Sequence, residues 1–181
     1  MARVLVVDDN ASFCRALGLR LEDAGCLVDT AASAADAIKC ITGNYDVLVV
    51  DMRMETEESG LEVLQSAKSN DRFCQVIVLT AYAELNNALK AMSMGAFAYV
   101  LKEASETEMV LQQVKRAVDF HAVMKNLEAS SKAIKSVREL LEGVVPLLQK
   151  SVAQLGMVRD GQDKLLSTLL LGGPQEGNPQ A

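Results

Sequence analysis

The chain has 181 residues, of which half are apolar and 23% are charged, and its formal net charge is −6. This composition is typical of a soluble globular protein, and no apolar run approaches the ~20 residues that a membrane span needs. Residues 1–120 carry 11 basic and 18 acidic side chains and residues 121–181 carry 7 and 6, so neither part is a basic patch that would favour a nucleic-acid partner. The N-terminus lacks the apolar core of a signal peptide, so we predict a cytoplasmic protein with no membrane partner.

The first 120 residues alternate short apolar runs with longer stretches of helical periodicity. The apolar runs lie at residues 4–7, 26–30 (the weakest), 47–50, 76–79 and 99–101. The helical spacing is carried by Phe13, Leu17 and Leu21, by Ala34, Ala35, Ile38 and Ile41, and by Leu85, Ala88, Leu89 and Met92, and Gly25, Gly43 and Gly95 follow these stretches as helix ends. Runs that are apolar on both faces suit strands buried between helices. Five strand–helix units therefore predict an α/β fold with a doubly wound, five-stranded parallel sheet.

Polar side chains follow four of these runs, where each predicted strand ends. Asp8 and Asp9 come after the first run, Asp51 after the third, Thr80 after the fourth and Lys102 after the fifth. Because ligands of open parallel sheets bind beyond the carboxyl ends of the strands, we expect these side chains to converge at one edge.

Three carboxylates at one edge repel one another unless a cation lies among them, and an all-oxygen ligand set favours Mg²⁺. The Lys102 ammonium and the Thr80 hydroxyl are suited to bind phosphoryl oxygens. Since a carboxylate nucleophile can form an acyl phosphate, the set predicts phosphoryl transfer onto Asp51.

Other interpretations are open for the same residues. Asp9 or Asn10 could cap the next helix, and Asp51 taken alone could be a turn residue. An aspartyl phosphatase is a second hypothesis from the enzyme class. Those enzymes usually need an acid two residues after the nucleophile, and this chain has Arg53 there.

Over roughly residues 2–120 the chain resembles the response-regulator receiver domain of two-component signalling. The matching segments are Val-Val-Asp8-Asp9, Val-Val-Asp51-Met52-Arg53-Met54, Leu-Thr80-Ala81-Tyr82 and Tyr99-Val100-Leu101-Lys102. The resemblance implies a flavodoxin-like fold in which Asp51 accepts a phosphoryl group from a sensor histidine kinase or a phosphotransfer protein. Such a chain is a phospho-acceptor rather than an enzyme, with only self-catalysed phosphotransfer and dephosphorylation.

The resemblance also implies roles for the individual residues. Mg²⁺ would be bound by Asp9, Asp51 and the backbone carbonyl of Arg53, with Asp8 assisting through water. Thr80 and Lys102 would act on the phosphoryl group, and Thr80 and Tyr99 would form a switch pair that turns inward on phosphorylation.

The chain departs from the receiver pattern at two positions where proline is usual. Glu55 stands in an acidic loop after Asp51, and Glu103 follows Lys102. Without proline a cis peptide bond costs about 2.5–4 kcal/mol, so we expect a trans bond and a reshaped loop after Lys102. These departures support the alternative of a receiver-like scaffold that acts independently of phosphorylation.

From Phe120 onward the strand pattern is replaced by a seven-residue repeat. Its two series are Phe120, Leu127, Ile134, Leu141, Leu148, Leu155, Gln162, Leu169 and Val123, Ser130, Val137, Val144, Ser151, Val158, Leu165, with Leu140, Val145, Leu147, Val152 and Leu166 beside them. The repeat predicts a coiled coil, and the flanking apolar residues favour a bundle. Gly143 and Pro146 predict a kink or break at 143–146.

These patterns divide the chain into a receiver domain at 1–120, a helical coiled-coil or bundle-forming segment at 121–171 and a disordered tail at 172–181. The helical segment has no pattern of a DNA-binding or nucleotide-binding module. We therefore expect a dimer or larger homo-oligomer formed through residues 120–171 and output by contact with a downstream protein. The segment would be either one long helix or a hairpin folded near Pro146, which would give a four-helix bundle in the dimer. A helix that folds back on its own receiver domain is the alternative.

Cysteine and histidine usage narrows the remaining chemistry. The four cysteines lie far apart without a CxxC pair, so we predict that they are small buried hydrophobic residues in a reducing cytosol. The single histidine, His121, argues against zinc sites and histidine-based catalytic triads.

Overall fold

A computed structural model describes residues 1–42, 44–82, 84–102 and 107–170. Along these residues the elements are β1 (Arg3–Val7), α1 (Ala11–Asp23), β2 (Leu27–Ala31), α2 (Ala34–Cys40), β3 (Val47–Asp51), α3 (Ser59–Asn70), β4 (Gln75–Thr80), α4 (Leu85–Ser93), β5 (Ala98–Leu101) and α5 (Thr107–Leu170). The strands form one sheet in the order β2-β1-β3-β4-β5, with every neighbouring pair parallel. The predicted α/β fold with a doubly wound parallel sheet is confirmed.

The predicted strands agree with the observed ones to within one residue at either end. Asp51 and Thr80 are the last residues of β3 and β4 rather than the residues that follow them. The strand order reverses between β1 and β3, and the crevice outside their carboxyl ends is where sheets of this kind bind ligands.

The sheet separates two apolar layers, because successive side chains of a strand point to opposite faces. In β1, Leu5 and Val7 belong to the layer shared with α2, α3 and α4. Val4 and Val6 belong to the layer shared with α1 and α5. Both faces are covered, which explains why the strands are almost continuously apolar.

The ends of α1 and α4 follow the expected chemistry. The Asn10 side chain accepts hydrogen bonds from two backbone N–H groups of the first turn of α1. Gly25 and Gly95 come after α1 and α4 with φ of 87° and 90°, a backbone conformation that favours glycine. Gly43, the third predicted helix end, lies outside the described residues.

The buried faces of α2 and α4 differ from the periodic faces read from the sequence. In α2, Ala37 is buried and Ile38 is exposed. In α4, Ala91 is fully buried, whereas Leu85 and Leu89 are 73% and 60% exposed. Small alanines let a helix approach the sheet closely, and an apolar stripe at helical spacing does not itself say which partner it faces.

Of the kink or break predicted at 143–146, the break is wrong, because helix α5 runs through Gly143 and Pro146 without interruption, and the kink stays a prediction. Proline fixes φ near −65°, a helical value, although it removes one helical hydrogen bond and its ring crowds the carbonyl four residues earlier. The chain forms two compact units, Met1–Glu128 and a second that begins at Ala129. No helix in the described ranges has the length and apolarity to cross a bilayer.

Candidate functional site

Three carboxylates meet at the carboxyl edge of the sheet, as the strand ends predict. Asp8 and Asp9 follow β1, and Asp51 ends β3, the neighbouring strand. One carboxylate oxygen from each of the three lies within 4.8 Å of the others. Asp8 and Asp51 are buried, with residue exposures of 1% and 8%, and Asp9 is exposed.

Lys102 reaches this cluster from the end of β5. Its Nζ lies 2.5 Å from Asp8 Oδ2 and 3.2 Å from Asp51 Oδ2, and it also lies 4.5 Å from the centre of the Phe13 ring. Burial alone would lower the pKa of Lys102, but the hydrogen bond to Asp8 and the charge of Asp51 outweigh it, so the pKa is raised. The ammonium is therefore held in its charged form between the two buried acids.

The pKa of Asp51 is raised, chiefly because burial penalises the carboxylate. The negative charges of Asp8 and Asp9 add to this rise, and Lys102 opposes it by attraction and by a hydrogen bond. A carboxylate that is destabilised by burial and by two neighbouring acids gains from an added cation.

The donor set fits a magnesium ion. Asp8 Oδ1 accepts the backbone N–H of Asn10 at 2.9 Å, and Asp8 Oδ2 is paired with Lys102, so both oxygens of this acid are already engaged. Asp9 and Asp51 are the acids better placed to offer an oxygen directly. Oxygen-only donors with few protein carboxylates match the preference of Mg²⁺.

Thr80 ends β4 with its side chain buried and bonded locally. Its Oγ1 donates to the Tyr82 carbonyl at 2.9 Å and accepts the Tyr82 backbone N–H at 3.2 Å. In the β4–β5 register Val78 pairs with Tyr99 and Thr80 pairs with Leu101, which puts Thr80 and Tyr99 on the same face of adjacent strands. The Tyr99 hydroxyl is buried, and no group of the described chain hydrogen-bonds it.

The Arg53 side chain contacts residues other than the three clustered aspartates. The guanidinium forms an ion pair with Glu84, at the start of α4, and lies 5.2 Å from the centre of the Tyr82 ring. These contacts link the loop after β3 to the loop after β4, and the sequence pattern does not indicate them. The metal role predicted for the Arg53 carbonyl stays a prediction.

Gly60 is a site-forming residue that the sequence reasoning missed. A Cβ at this position would lie 2.5 Å from the Asp51 carbonyl oxygen and 2.8 Å from Met52 Cα. The Gly60 N–H donates to the Met52 carbonyl at 3.1 Å. The first turn of α3 can approach the backbone of Asp51 this closely only because residue 60 has no side chain.

Glu55 has a structural role that the sequence also does not indicate. Its Oε1 accepts the backbone N–H of Ala34, the first residue of α2, at 2.9 Å. A carboxylate at a helix N-terminus is stabilised both by free N–H groups and by the helix dipole. The residue that replaces the usual proline therefore ties the loop after β3 to α2, whereas Glu103, the other departure, lies outside the described residues.

Comparison with known proteins finds similarity over the whole sheet domain. The family model of the response regulator receiver domain matches residues 4–114. The alginate biosynthesis transcriptional regulatory protein AlgB of Pseudomonas putida is 29% identical over 147 residues, which are 81% of this chain and 32% of AlgB. The chain thus spans about a third of the length of this relative.

Solved structures show the same fold. A receiver domain protein from Clostridium thermocellum is 30% identical, with a TM-score of 0.63 over 68% of this chain and 99% of that one. The response regulator TrrA from Thermotoga maritima, solved in complex with Mg²⁺ and BeF, is 32% identical, with a TM-score of 0.57 over 65% of this chain and 99% of that one.

Proposed function

This chain belongs to the response regulator receiver domain family, and on that premise we propose that it is a phosphorylation switch whose phospho-acceptor is Asp51. The observation that carries the proposal is the Lys102 ammonium held between the buried acids Asp8 and Asp51, at the edge where Asp9 adds a third carboxylate. The proposed donor is a sensor histidine kinase or a phosphotransfer protein. The proposed output is contact with a downstream protein.

In the proposed reaction a carboxylate oxygen of Asp51 attacks the phosphorus atom of a phosphohistidine. The new O–P bond forms as the donor's N–P bond breaks, and its electron pair returns to the donor imidazole, which is protonated from solvent. Asp51 becomes an acyl phosphate. A bound Mg²⁺, held by Asp9, Asp51 and the Arg53 carbonyl with Asp8 acting through water, would neutralise charge on the phosphoryl oxygens.

The residues around Asp51 have roles that their present contacts support. Lys102 Nζ is 3.2 Å from the carboxylate that becomes phosphorylated, so a phosphoryl oxygen would take over part of its ion pairing. The Thr80 hydroxyl would exchange its bond to the Tyr82 carbonyl for one to the phosphoryl group. Both groups are donors already located at the edge where negative charge increases.

The switch role proposed for Thr80 and Tyr99 is supported by the buried Tyr99 hydroxyl. A buried polar group without a partner costs about 1–3 kcal/mol, so an arrangement that gives it one is favoured once Thr80 moves. No group in the described ranges forms a hydrogen bond with this hydroxyl, so an inward turn of Tyr99 would break no hydrogen bond with a described residue.

The helical segment of residues 120–171 is proposed to join copies of the chain into a homo-oligomer. It is one helix through Leu170, and its repeat leaves large apolar side chains exposed on one stripe. Residue 171 and the predicted tail at 172–181 lie outside the described residues.

The test is phosphorylation with acetyl phosphate, followed by intact mass. With Mg²⁺ the chain should gain one phosphoryl mass, Asp51→Asn should gain none, and Thr80→Ala should still be modified. An unchanged wild-type mass at both low and high Mg²⁺ would favour the alternative function, a scaffold that acts independently of phosphorylation. Affinity capture with both forms of the protein would then identify partners that distinguish them.

A further inference from the structure

The second compact unit carries a long exposed apolar stripe. Its side chains are each between 45% and 70% exposed: Ile134, Val137, Leu140, Leu141, Val144, Val145, Leu147, Leu148, Val152, Leu165 and Leu166. A fully exposed aliphatic side chain presents ~60–120 Å², so the stripe exposes on the order of 600 Å². This is the upper limit of apolar patches on monomers, and it approaches the ~800 Å² per partner of a stable interface.

The residue types in the stripe bear on how many helices pack together. Within residues 134–152 the first heptad position is held by Ile134, Leu141 and Leu148, and the fourth by Val137, Val144 and Ser151. Leucine therefore predominates at the first position and β-branched valine at the fourth. Two-stranded coils favour the opposite arrangement, with β-branched residues first and leucine fourth. Leucine first with a β-branched residue fourth favours assemblies of more than two helices.

The stripe is also wider than the seam of a two-stranded coil. Leu140 and Leu147 precede the first heptad position, and Val145 and Val152 follow the fourth, and all four are 45–68% exposed. Such flanking positions are usually charged in coiled-coil dimers because they lie at the edge of the contact. A helix that contacts neighbours on two sides buries them, as in a bundle.

The opposite face of the helix holds the groups that burial would penalise. Gly143 and Pro146 lie there, and so do the charged residues Lys135, Glu139, Glu142 and Lys150. Pro146 leaves the carbonyl of Glu142 without its helical donor, and on this face water can supply the bond. Ser151, a polar residue within the stripe, donates to the Leu147 carbonyl at 3.0 Å and is thereby satisfied when buried.

Because α5 is continuous through residues 143–146, one chain does not supply two strands of a bundle by folding back there. Helices from other copies of the chain can supply the missing neighbours. We propose that residues 134–152 form the inner face of a bundle of three or four copies of α5, a proposal that rests on the homo-oligomer proposed above and specifies it. In such a bundle each helix has two neighbours, so both flanks are buried by symmetry.

Sedimentation equilibrium of the full chain tests the number of copies. The expected mass is three or four times the 19.5 kDa chain mass. Leu140→Lys combined with Leu147→Glu places charges on one flank and should reduce the mass to two chains or one. A second variant, the apolar swap, keeps the stripe apolar but reverses the heptad pattern by combining Val137→Leu, Val144→Leu, Leu141→Ile and Leu148→Ile. This variant should be a dimer.

Pro146→Ala is the matched control for the outer face. It should leave the mass of the assembly at the wild-type value, because residue 146 lies on the outer face. Circular dichroism of each variant reports whether the helix persists. If the two charged substitutions unfold the helix, the apolar swap alone tests the copy number.

Each other outcome overturns a defined statement. A dimeric wild type overturns the bundle of more than two copies and leaves the proposed homo-oligomer standing, whereas a monomeric wild type overturns both. A charged-flank variant that stays helical and keeps the wild-type mass, or a Pro146→Ala variant of changed mass, overturns the assignment of inner and outer faces. Phosphorylation of Asp51 is measured separately, so its failure is not confused with any of these.

Discussion

Gly60→Ala tests how closely the fold surrounds the proposed phospho-acceptor. The added Cβ would lie 2.5 Å from the Asp51 carbonyl oxygen, 2.8 Å from Met52 Cα and 3.2 Å from the Asp51 carbonyl carbon. All three are backbone atoms, so no flexible side chain can move aside. Since favourable carbon contacts begin near 3.5 Å, the backbone of Asp51 or the start of α3 must shift by about 1 Å.

Two magnitudes follow from that shift. Overpacking costs about 1–3 kcal/mol, and the better helix propensity of alanine returns at most ~1 kcal/mol, so the free energy of unfolding should fall by about 1–2 kcal/mol. A displacement of ~1 Å at a reacting group lowers rates by about 10²-fold, so phosphorylation of Asp51 by acetyl phosphate should slow by that order.

The measurements are urea denaturation and the time course of the intact mass. Gly18→Ala is the matched control, because its Cβ would meet only Val28 Cγ1, at an ordinary 3.7 Å, inside helix α1. The control should be as stable as the wild type or up to ~1 kcal/mol more stable, with unchanged phosphorylation. A Gly60→Ala variant that matches the wild type in both measurements would refute the close approach of α3 to Asp51.

Mg²⁺ without phosphate should raise the melting temperature, because a cation that binds only the acid cluster of the native state stabilises that state by mass action. Asp9→Asn should reduce the rise, and equal melting temperatures in EDTA and in millimolar Mg²⁺ would contradict the prediction. Burial alone would raise the pKa of Asp71, but the Lys125 ammonium at 2.7 Å and the Phe73 backbone N–H at 2.9 Å lower it. A lowered carboxyl pKa contributes stability above the unfolded value of ~3.9 that is lost as the pH falls through the folded value. The wild type should therefore be more stable than Asp71→Asn at pH 7 in urea titrations, and a difference that persists unchanged at pH 2 would count against it. Burial raises the pKa of the Cys74 thiol to about 12, so iodoacetamide at pH 8 should modify it roughly 10³-fold more slowly than an unperturbed thiol, as peptide mapping would report.

Local periodicity was enough to predict the sheet and the residues at its edge. The apolar runs at 4–7 and 47–50 are strands because residues apolar on both faces suit a sheet covered on two sides. Parallel strands then bring Asp8, Asp51 and Lys102 to one edge by geometry alone, with no information from the residues between them.

Contacts between segments distant in the chain could not be predicted in this way. The bond from Ala34 to Glu55 and the approach of Gly60 to Asp51 depend on where α2 and α3 lie over the sheet, a placement that neither segment specifies alone. The burial of Ala91 with Leu89 exposed likewise required the tertiary structure, because helical periodicity identifies an apolar face and not its partner.

The continuity of α5 shows most clearly which properties the sequence determines and which only the tertiary structure decides. The sequence determined that Pro146 must cost a hydrogen bond, since it has no N–H to donate. Only the structure decided that the helix continues through it, because that outcome depends on the hydrogen bonds of the turns on either side. The free-energy cost of a single proline can be predicted from that residue alone. Whether the helix continues through the proline depends on the free energy of all the contacts and hydrogen bonds around it.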